Sequence, residues 1–113
     1  MNLADPAQLR PFLDRHGYAP NKALGQHFLV SQKAVDQIVG AAQGLKGILE
    51  VGPGPGVLTA RLCETAKTIA VDLDARSAAA LAESAPTADA RTLDALAVDL
   101  APLASELPEP RGV

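Results

Sequence analysis

The feature that most constrains the fold is a run of alternating glycines directly after a short apolar segment. Residues 48–51 read Ile-Leu-Glu-Val, and residues 52–56 read Gly-Pro-Gly-Pro-Gly. A short apolar run bounded by glycines is typical of a buried strand. Glycine adopts backbone angles closed to other residues and lets a ligand approach the main chain closely. The pattern therefore predicts a strand that enters a ligand-binding turn, with a helix beginning near Val57.

The rest of the chain repeats this alternation of strand and helix. The predicted strands cover residues 48–51, 68–72 and 88–93, and the predicted helices cover residues 31–42, 57–63 and 75–84. Ser31 has the side chain of a helix N-cap, and so does Asp74. The order βαβαβ predicts a doubly wound α/β fold with parallel strands in the spatial order 3-2-1 and the first strand at the switch point.

The two ends of the chain fit this sheet less well. The first twenty residues place a few apolar side chains between prolines, which predicts a short helix or an arm outside the core. A fourth strand would start near Val113, so we expect about three strands and a free edge on the first one. The sequence therefore predicts an N-terminal fragment of a longer protein.

Composition narrows the class of protein. The net charge is −3, and residues 48–113 carry ten acidic and five basic side chains, which is not typical of a nucleic-acid binder. A lone cysteine, Cys63, provides neither a disulfide nor a zinc site, and we expect it to be a small buried apolar residue. No apolar stretch has the length of a membrane span. We expect a soluble cytoplasmic protein without a metal.

The spacing of the glycines excludes two phosphate-binding motifs. A dinucleotide fingerprint would need glycine where Val57 stands, and a P-loop would need Gly-Lys-Ser/Thr at its end. What remains resembles the first motif of S-adenosylmethionine-dependent methyltransferases, whose ligand has a cationic sulfonium and no phosphate. A structural turn without a ligand is the alternative interpretation.

Two aspartates end the second and third strands. Asp72 lies twenty residues after Gly52, where a carboxylate can accept hydrogen bonds from ribose hydroxyls. Asp94 could accept a hydrogen bond from an adenine amino group. The alternatives are a plain surface carboxylate for Asp72 and a helix N-cap for Asp94.

The stretch Asn21 to Val30, NKALGQHFLV, together with EVGPGPGVLT, closely resembles the ribosomal RNA adenine dimethyltransferase family. The resemblance runs from about Lys22 to Asp99 and implies a Rossmann-like methyltransferase fold that is incomplete here. The S-adenosylmethionine site that it implies comprises His27, Leu29, Gly52, Gly54, Asp72 and Asp94. His27 and Leu29 would cover the cofactor, and Gly52 would meet its methionine end. The family often has Asn where His27 stands and Glu where Asp72 stands.

The function implied by the resemblance is dimethylation of two adjacent adenines at N6 in 16S rRNA during small-subunit ribosome biogenesis, by a monomeric enzyme. Residues 1–30 would form an arm, and residues 31–113 part of the cofactor-binding domain. The family's Asn-Leu-Pro-Tyr motif and helical C-terminal domain are absent from this sequence. No catalytic residue is therefore assigned, and we expect the fragment to be inactive. The alternatives are a non-catalytic nucleic-acid-binding relative and, less favoured by the arm, a small-molecule methyltransferase.

Overall fold

The computed structural model describes residues 1–18 and 31–113, and its centre is a four-stranded parallel sheet. The strands are β1 (Gly47–Val51), β2 (Lys67–Asp72), β3 (Asp89–Thr92) and β4 (Arg111–Gly112). The helices are α1 (Pro6–Arg15), α2 (Gln32–Ala41), α3 (Thr59–Leu62), α4 (Arg76–Ser84) and α5 (Ala101–Ser105). The spatial order is β3-β2-β1-β4. The predicted α/β class, the three predicted strands and their 3-2-1 order are confirmed.

Alternation along the two central strands explains why the sheet is covered on both faces. Side chains of successive strand residues point to opposite faces. Leu49, Ile69 and Val71 pack with α5 and the segment after it in one cluster. Ile48 and Ala70, one position away, pack in two further clusters with residues around α3 and α4. A parallel sheet with two covered faces needs apolar residues at consecutive positions, as these strands have.

The edge of β1 differs from the sequence prediction. After α5, the chain runs back alongside β1. The Pro110 carbonyl accepts hydrogen bonds from the amides of Lys46 at 2.7 Å and Gly47 at 3.2 Å. β4 then pairs with Gly47 and Ile48. The prediction of a fully free edge is therefore wrong, because a fourth strand of two residues joins the three predicted ones. The pairing stops at Ile48, and residues 49–51 have no strand on that side within the described part of the chain.

The N-terminal helix α1 belongs to the core, so the prediction of a peripheral arm is wrong for residues 1–18. Leu9 and Phe12 are 1% and 0% exposed. They pack in one cluster with Leu3, Tyr18, Val35, Val57 and Ala80. Pro6 stands at the first helical position, where its missing N–H is not needed, and Asp5 caps the helix by accepting a hydrogen bond from the Ala7 amide. Pro6 therefore starts a buried helix, and Pro11 lies within it.

The other helix predictions mostly hold. Ser31 caps α2 by accepting a hydrogen bond from the Ala34 amide, as predicted. The Asp74 carboxylate accepts one from the amide of Arg76, the first residue of α4. α3 begins two residues later than predicted and has only four residues. Cys63 follows α3 and packs against the Ala70 cluster, but it is half-buried and not fully buried as predicted.

The glycine turn between β1 and α3 rests on α4. Ser77 donates a hydrogen bond to the Gly54 carbonyl at 2.6 Å, and Ser84 donates one to the Pro55 carbonyl at 2.8 Å. Gly56 has φ +97°, and a Cβ there would lie 2.3 Å from Ser84 Oγ and 2.7 Å from a methyl carbon of Leu81. The turn and the helix are so close that only glycine fits at position 56.

We expect Gly56→Ala to destabilise the fold more than a matched substitution at Gly44. Both glycines have positive φ, but nothing lies within 4 Å of a Cβ at Gly44. Backbone strain alone costs about 1–2 kcal/mol, whereas the clash at position 56 adds about 1–3 kcal/mol of overpacking. Denaturant unfolding of both variants measures the difference. Equal losses of unfolding free energy would show that α4 moves aside without cost.

Candidate functional site

The groups singled out by the sequence meet at the carboxyl ends of the strands. In open parallel sheets, ligands bind at this edge, where the strand order reverses. The glycine turn follows β1, Asp72 is the last residue of β2, and Asp94 lies two residues after β3. Since β2 lies between β1 and β3, Asp72 lies between the turn and Asp94. The structure thus brings Gly52, Gly54 and Asp72 into one hydrogen-bonded unit. Asp94 lies beyond Asp72, after the end of β3.

The N–H groups of the glycine turn are hydrogen-bonded within the protein. The N–H of Gly52 donates to the Val71 carbonyl at 2.8 Å, and the N–H of Gly56 donates to the Pro53 carbonyl at 3.0 Å. The N–H of Gly54 donates to Asp72 Oδ2 at 3.0 Å. The two prolines between the glycines have no N–H. Residues 52–56 therefore offer no free amide of the kind that cradles a phosphate.

The turn has one open face and one closed face. Gly52 is exposed and has φ +74°, and nothing lies within 4 Å of the position that its Cβ would take. A ligand can reach the backbone there without meeting a side chain. Gly54 is buried, and both its N–H and its carbonyl are bonded within the protein, to Asp72 and Ser77. Gly52 therefore faces outward, and Gly54 shapes the turn from inside.

Asp72 is held by two backbone groups and is half-buried. Its Oδ2 accepts the Gly54 amide, and its Oδ1 accepts the Asp74 amide at 3.0 Å. Asp72 is therefore not a freely solvated carboxylate, while its role toward a ligand stays a prediction. A carboxylate has about four acceptor positions, and hydrogen bonds from the described residues fill two of them.

Asp94 is half-buried and closes a tight turn. Its Oδ1 accepts the Leu96 amide at 2.9 Å, and the next helix, α5, begins only at Ala101. The carboxylate therefore caps a turn and not a helix. No hydrogen bond to its Oδ2 is found among residues 1–18 and 31–113, which leaves this oxygen for an amino donor.

Glu50 is a residue of this edge that the sequence reasoning did not assign. It lies one residue before the end of β1 and is half-buried, and Thr59 donates a hydrogen bond to its Oε1 at 2.5 Å. Burial raises the pKa of Glu50, the bond from Thr59 opposes that rise, and the charge of Asp72 adds to it. A carboxylate inside an otherwise apolar strand was the signal that could have identified it.

The other two predicted site residues, His27 and Leu29, fall in residues 19–30, outside the described residues. His16 was not predicted as a site residue, and it pairs with Glu83 on α4, with 2.5 Å between Nε2 and Oε2. In residues 1–18 and 31–113 no group of three or more His, Cys, Asp or Glu side chains could hold a metal ion. No helix in those ranges is long and apolar enough to cross a membrane.

Similar proteins are known by sequence and by structure. Residues 18–93 match the family model described as ribosomal RNA adenine dimethylase. The chain is 41% identical over 110 residues to Ribosomal RNA small subunit methyltransferase A of Pelotomaculum thermopropionicum, covering 92% of this chain and 37% of that protein. The protein of the same name from Phenylobacterium zucineum is 43% identical over 114 residues, covering 96% of this chain and 40% of that protein.

A solved structure supports the same relationship. The 23S rRNA methyltransferase ErmE matches with a TM-score of 0.53 and 28% identity, over 62% of this chain and 31% of that chain. The chain thus spans about two fifths of the length of the curated relatives quoted above. The matched residues 18–93 include five of the six predicted site residues, and Asp94 follows directly.

We expect Thr59→Val to lower the free energy of unfolding by about 2 kcal/mol at neutral pH, because a buried hydrogen bond to an ionised carboxylate is lost. The raised pKa of Glu50 means that the folded state holds its proton more tightly than the unfolded state. Stability from this group is therefore present at low pH and falls as pH rises from 4.5, the ordinary value, through the folded pKa. The loss caused by Thr59→Val should shrink at pH 4.

Thr68→Val is the matched control. Thr68 is equally buried, but its hydroxyl donates to the Ala66 carbonyl, which does not titrate. Urea unfolding at pH 4 and pH 7 measures both variants. A loss for Thr59→Val that is the same at both values would contradict a role of the Thr59 hydroxyl in stabilising the Glu50 carboxylate.

Proposed function

The chain belongs to the ribosomal RNA adenine dimethylase family, and on that premise we propose that its site binds S-adenosylmethionine for dimethylation of adenines in ribosomal RNA. For the whole protein, the proposed reaction transfers methyl groups to N6 of two adjacent adenines of 16S rRNA during small-subunit ribosome biogenesis. The proposed location is the cytoplasm, and the proposed state is a monomer. Residues 31–113 form part of the proposed cofactor-binding domain, preceded by residues 1–30.

The observation that carries the proposal is that a glycine turn without unbonded N–H groups lies beside a sheet edge lined by carboxylates. Every N–H of the glycine turn is bonded within the protein, so a diphosphate would find no donors there. Carboxylates of Glu50, Asp72 and Asp94 stand at the ends of three neighbouring strands and would repel its negative charge. A nucleoside with a cationic sulfonium and an ammonium group fits both features.

The proposed polar contacts use carboxylate positions that no hydrogen bond fills within residues 1–18 and 31–113. Asp72 would accept the two ribose hydroxyls with its remaining acceptor positions, and Asp94 would accept the adenine amino group with Oδ2. The open backbone face of Gly52 would meet the methionine end, while Gly54 contributes through the shape of the turn. His27 and Leu29 would cover the cofactor from the N-terminal side. Asp72 and Asp94 therefore orient the adenosine, and Gly52 lets the rest of the ligand lie against the main chain.

S-adenosylmethionine, when bound, supplies an electrophilic methyl group. The residues of this chain would bind and orient it, and no residue among the 113 is proposed to hold the target adenine. The alternative of a non-catalytic nucleic-acid-binding relative needs a basic surface and makes no use of the carboxylates at this edge. Binding of the cofactor product distinguishes the two.

We expect S-adenosylhomocysteine to perturb the backbone amide NMR signals of Gly52, Asp72 and Asp94, with a dissociation constant weaker than micromolar. The weakness follows because β4 pairs with only two residues of β1, leaving one side of the site incomplete. ADP, which shares the adenosine but carries a diphosphate, should not perturb these signals at the same concentration. Equal perturbation by ADP, or none by millimolar S-adenosylhomocysteine, would contradict the proposed ligand.

Asp72→Asn should abolish these perturbations, since an amide replaces one acceptor oxygen with a donor. Asp99→Asn is the matched control, because Asp99 also accepts a backbone amide, that of Ala101, but is exposed and lies next to α5. Equal effects of the two variants would point to a general loss of turn structure.

The 113-residue chain should transfer no methyl groups to small-subunit rRNA, because the Asn-Leu-Pro-Tyr motif is absent from its sequence. Incubation of the purified chain with labelled S-adenosylmethionine and small ribosomal subunits measures this directly. Incorporation of label into adenine would mean that residues within this chain hold the target base.

A further inference from the structure

Arg76, at the start of α4, contacts three separate groups. Its Nε donates to both carboxylate oxygens of Asp74 at 3.0 Å, and its Nη1 donates to the Gly17 carbonyl at 2.9 Å. Its Cζ lies 4.5 Å from the centre of the Tyr18 ring, a cation–π distance. One guanidinium therefore joins the beginning of α4 to the two residues that directly precede residues 19–30.

Tyr18 lies behind the glycine turn. It is 3% exposed, and burial, followed by the charges of Asp74 and Asp72, raises its pKa to about 12. Its ring faces the guanidinium of Arg76, the first residue of α4. Ser77, the next residue of α4, donates a hydrogen bond to the Gly54 carbonyl at 2.6 Å. Tyr18 thus packs against the end of α4 that supports the inner face of the turn.

A chain of hydrogen bonds leads from Arg76 to Gly54. Arg76 holds the Asp74 carboxylate, the Asp74 amide donates to Asp72 Oδ1, and Asp72 Oδ2 accepts the Gly54 amide. The chain of bonds begins at Arg76, which contacts residues 17 and 18, and it fixes Gly54 at its amide.

We propose that Tyr18 and Arg76 form a clamp that couples the packing of residues 1–18 to the geometry of Gly54 and Asp72. The clamp deepens the proposed function and rests on it, because its consequence is that cofactor affinity depends on the packing of residues 1–18. Tyr18 and Arg76 are positioning residues, since they act on the ligand site through Asp74 and Asp72. An exposed ion pair alone adds little stability, so the effect lies in local geometry and not in the overall fold.

The test is the hydrogen-exchange rate of the Gly54 amide, followed by NMR in the ligand-free chain. Tyr18→Leu removes the aromatic ring that faces the guanidinium, and Arg76→Lys removes the forked contact and the flat stacking surface. Each variant should speed exchange at Gly54 about tenfold, because the local opening that frees this amide becomes easier. The amide of Ile69, in the central strand β2, reports global opening and should keep its rate.

Arg91→Lys is the matched control. Arg91 also binds carboxylates through its guanidinium, those of Asp89 and Glu106, but neither belongs to the chain of hydrogen bonds from Arg76 to Gly54. It should leave the Gly54 rate unchanged. An unchanged Gly54 rate in both clamp variants, or equal acceleration at Gly54 and Ile69, would overturn the proposal.

Cofactor binding gives a second readout. If the unsubstituted chain binds S-adenosylhomocysteine, Arg76→Lys should raise the dissociation constant about tenfold and leave the melting temperature unchanged. Equal affinity of the two proteins would overturn the coupling. If the unsubstituted chain shows no binding, the proposed ligand fails, while the exchange rates at Gly54 still decide whether the clamp exists.

Discussion

The hydrogen bond between the Asp72 carboxylate and the Gly54 amide is the constraint on which the rest of the site depends. Parallel pairing of Val51 with Val71 sets the register in which Asp72 reaches the turn after β1. Without that acceptor, the amide of a buried glycine would lose its partner, at a cost of about 1–3 kcal/mol. The bond also removes the N–H that a phosphate-binding loop would present. The register of β1 and β2 therefore sets this contact, and the shape of the turn and, within the proposed function, the ligand class depend on it.

The acidic edge is stable because each carboxylate has its own local donor. Thr59 donates to Glu50, two backbone amides donate to Asp72, and the Leu96 amide donates to Asp94. These bonds hold the charges in place but do not neutralise them, and the pKa of Glu50 is raised partly by the charge of Asp72. Within the proposed function, a cationic ligand relieves this repulsion, so the same carboxylates that orient the nucleoside also attract its charged end.

The sequence predicted the parts of the fold that follow from local patterns. Apolar runs, helical spacing and the Ser31 cap are encoded within a few residues, and the strand order follows from general rules for parallel sheets. Contacts between distant segments were not predictable in this way. Phe12 is buried by Val57 and Ala80, far along the chain, and the two residues of β4 are too few to show a period. The site aspartates were identified by position, but their backbone partners and the role of Glu50 required the structure.

The two sides of the site are not equally complete, and this asymmetry bears on the proposed ligand. On the β2 side, Asp72 is fixed by two amides and supported by α4 through Ser77. On the β1 side, a mostly apolar groove of about 430 Å³ runs alongside β1 from its last pair with β4. The groove includes Val51, which is 51% exposed. The adenosine would lie on the β2 side, where the binding groups are held in place, whereas the methionine end would lie near the edge of β1. Because oriented binding requires both ends to be held, ordering the adenosine alone gives only part of the affinity. The weak binding proposed for this chain thus has its cause at the edge of β1 and not in the glycine turn.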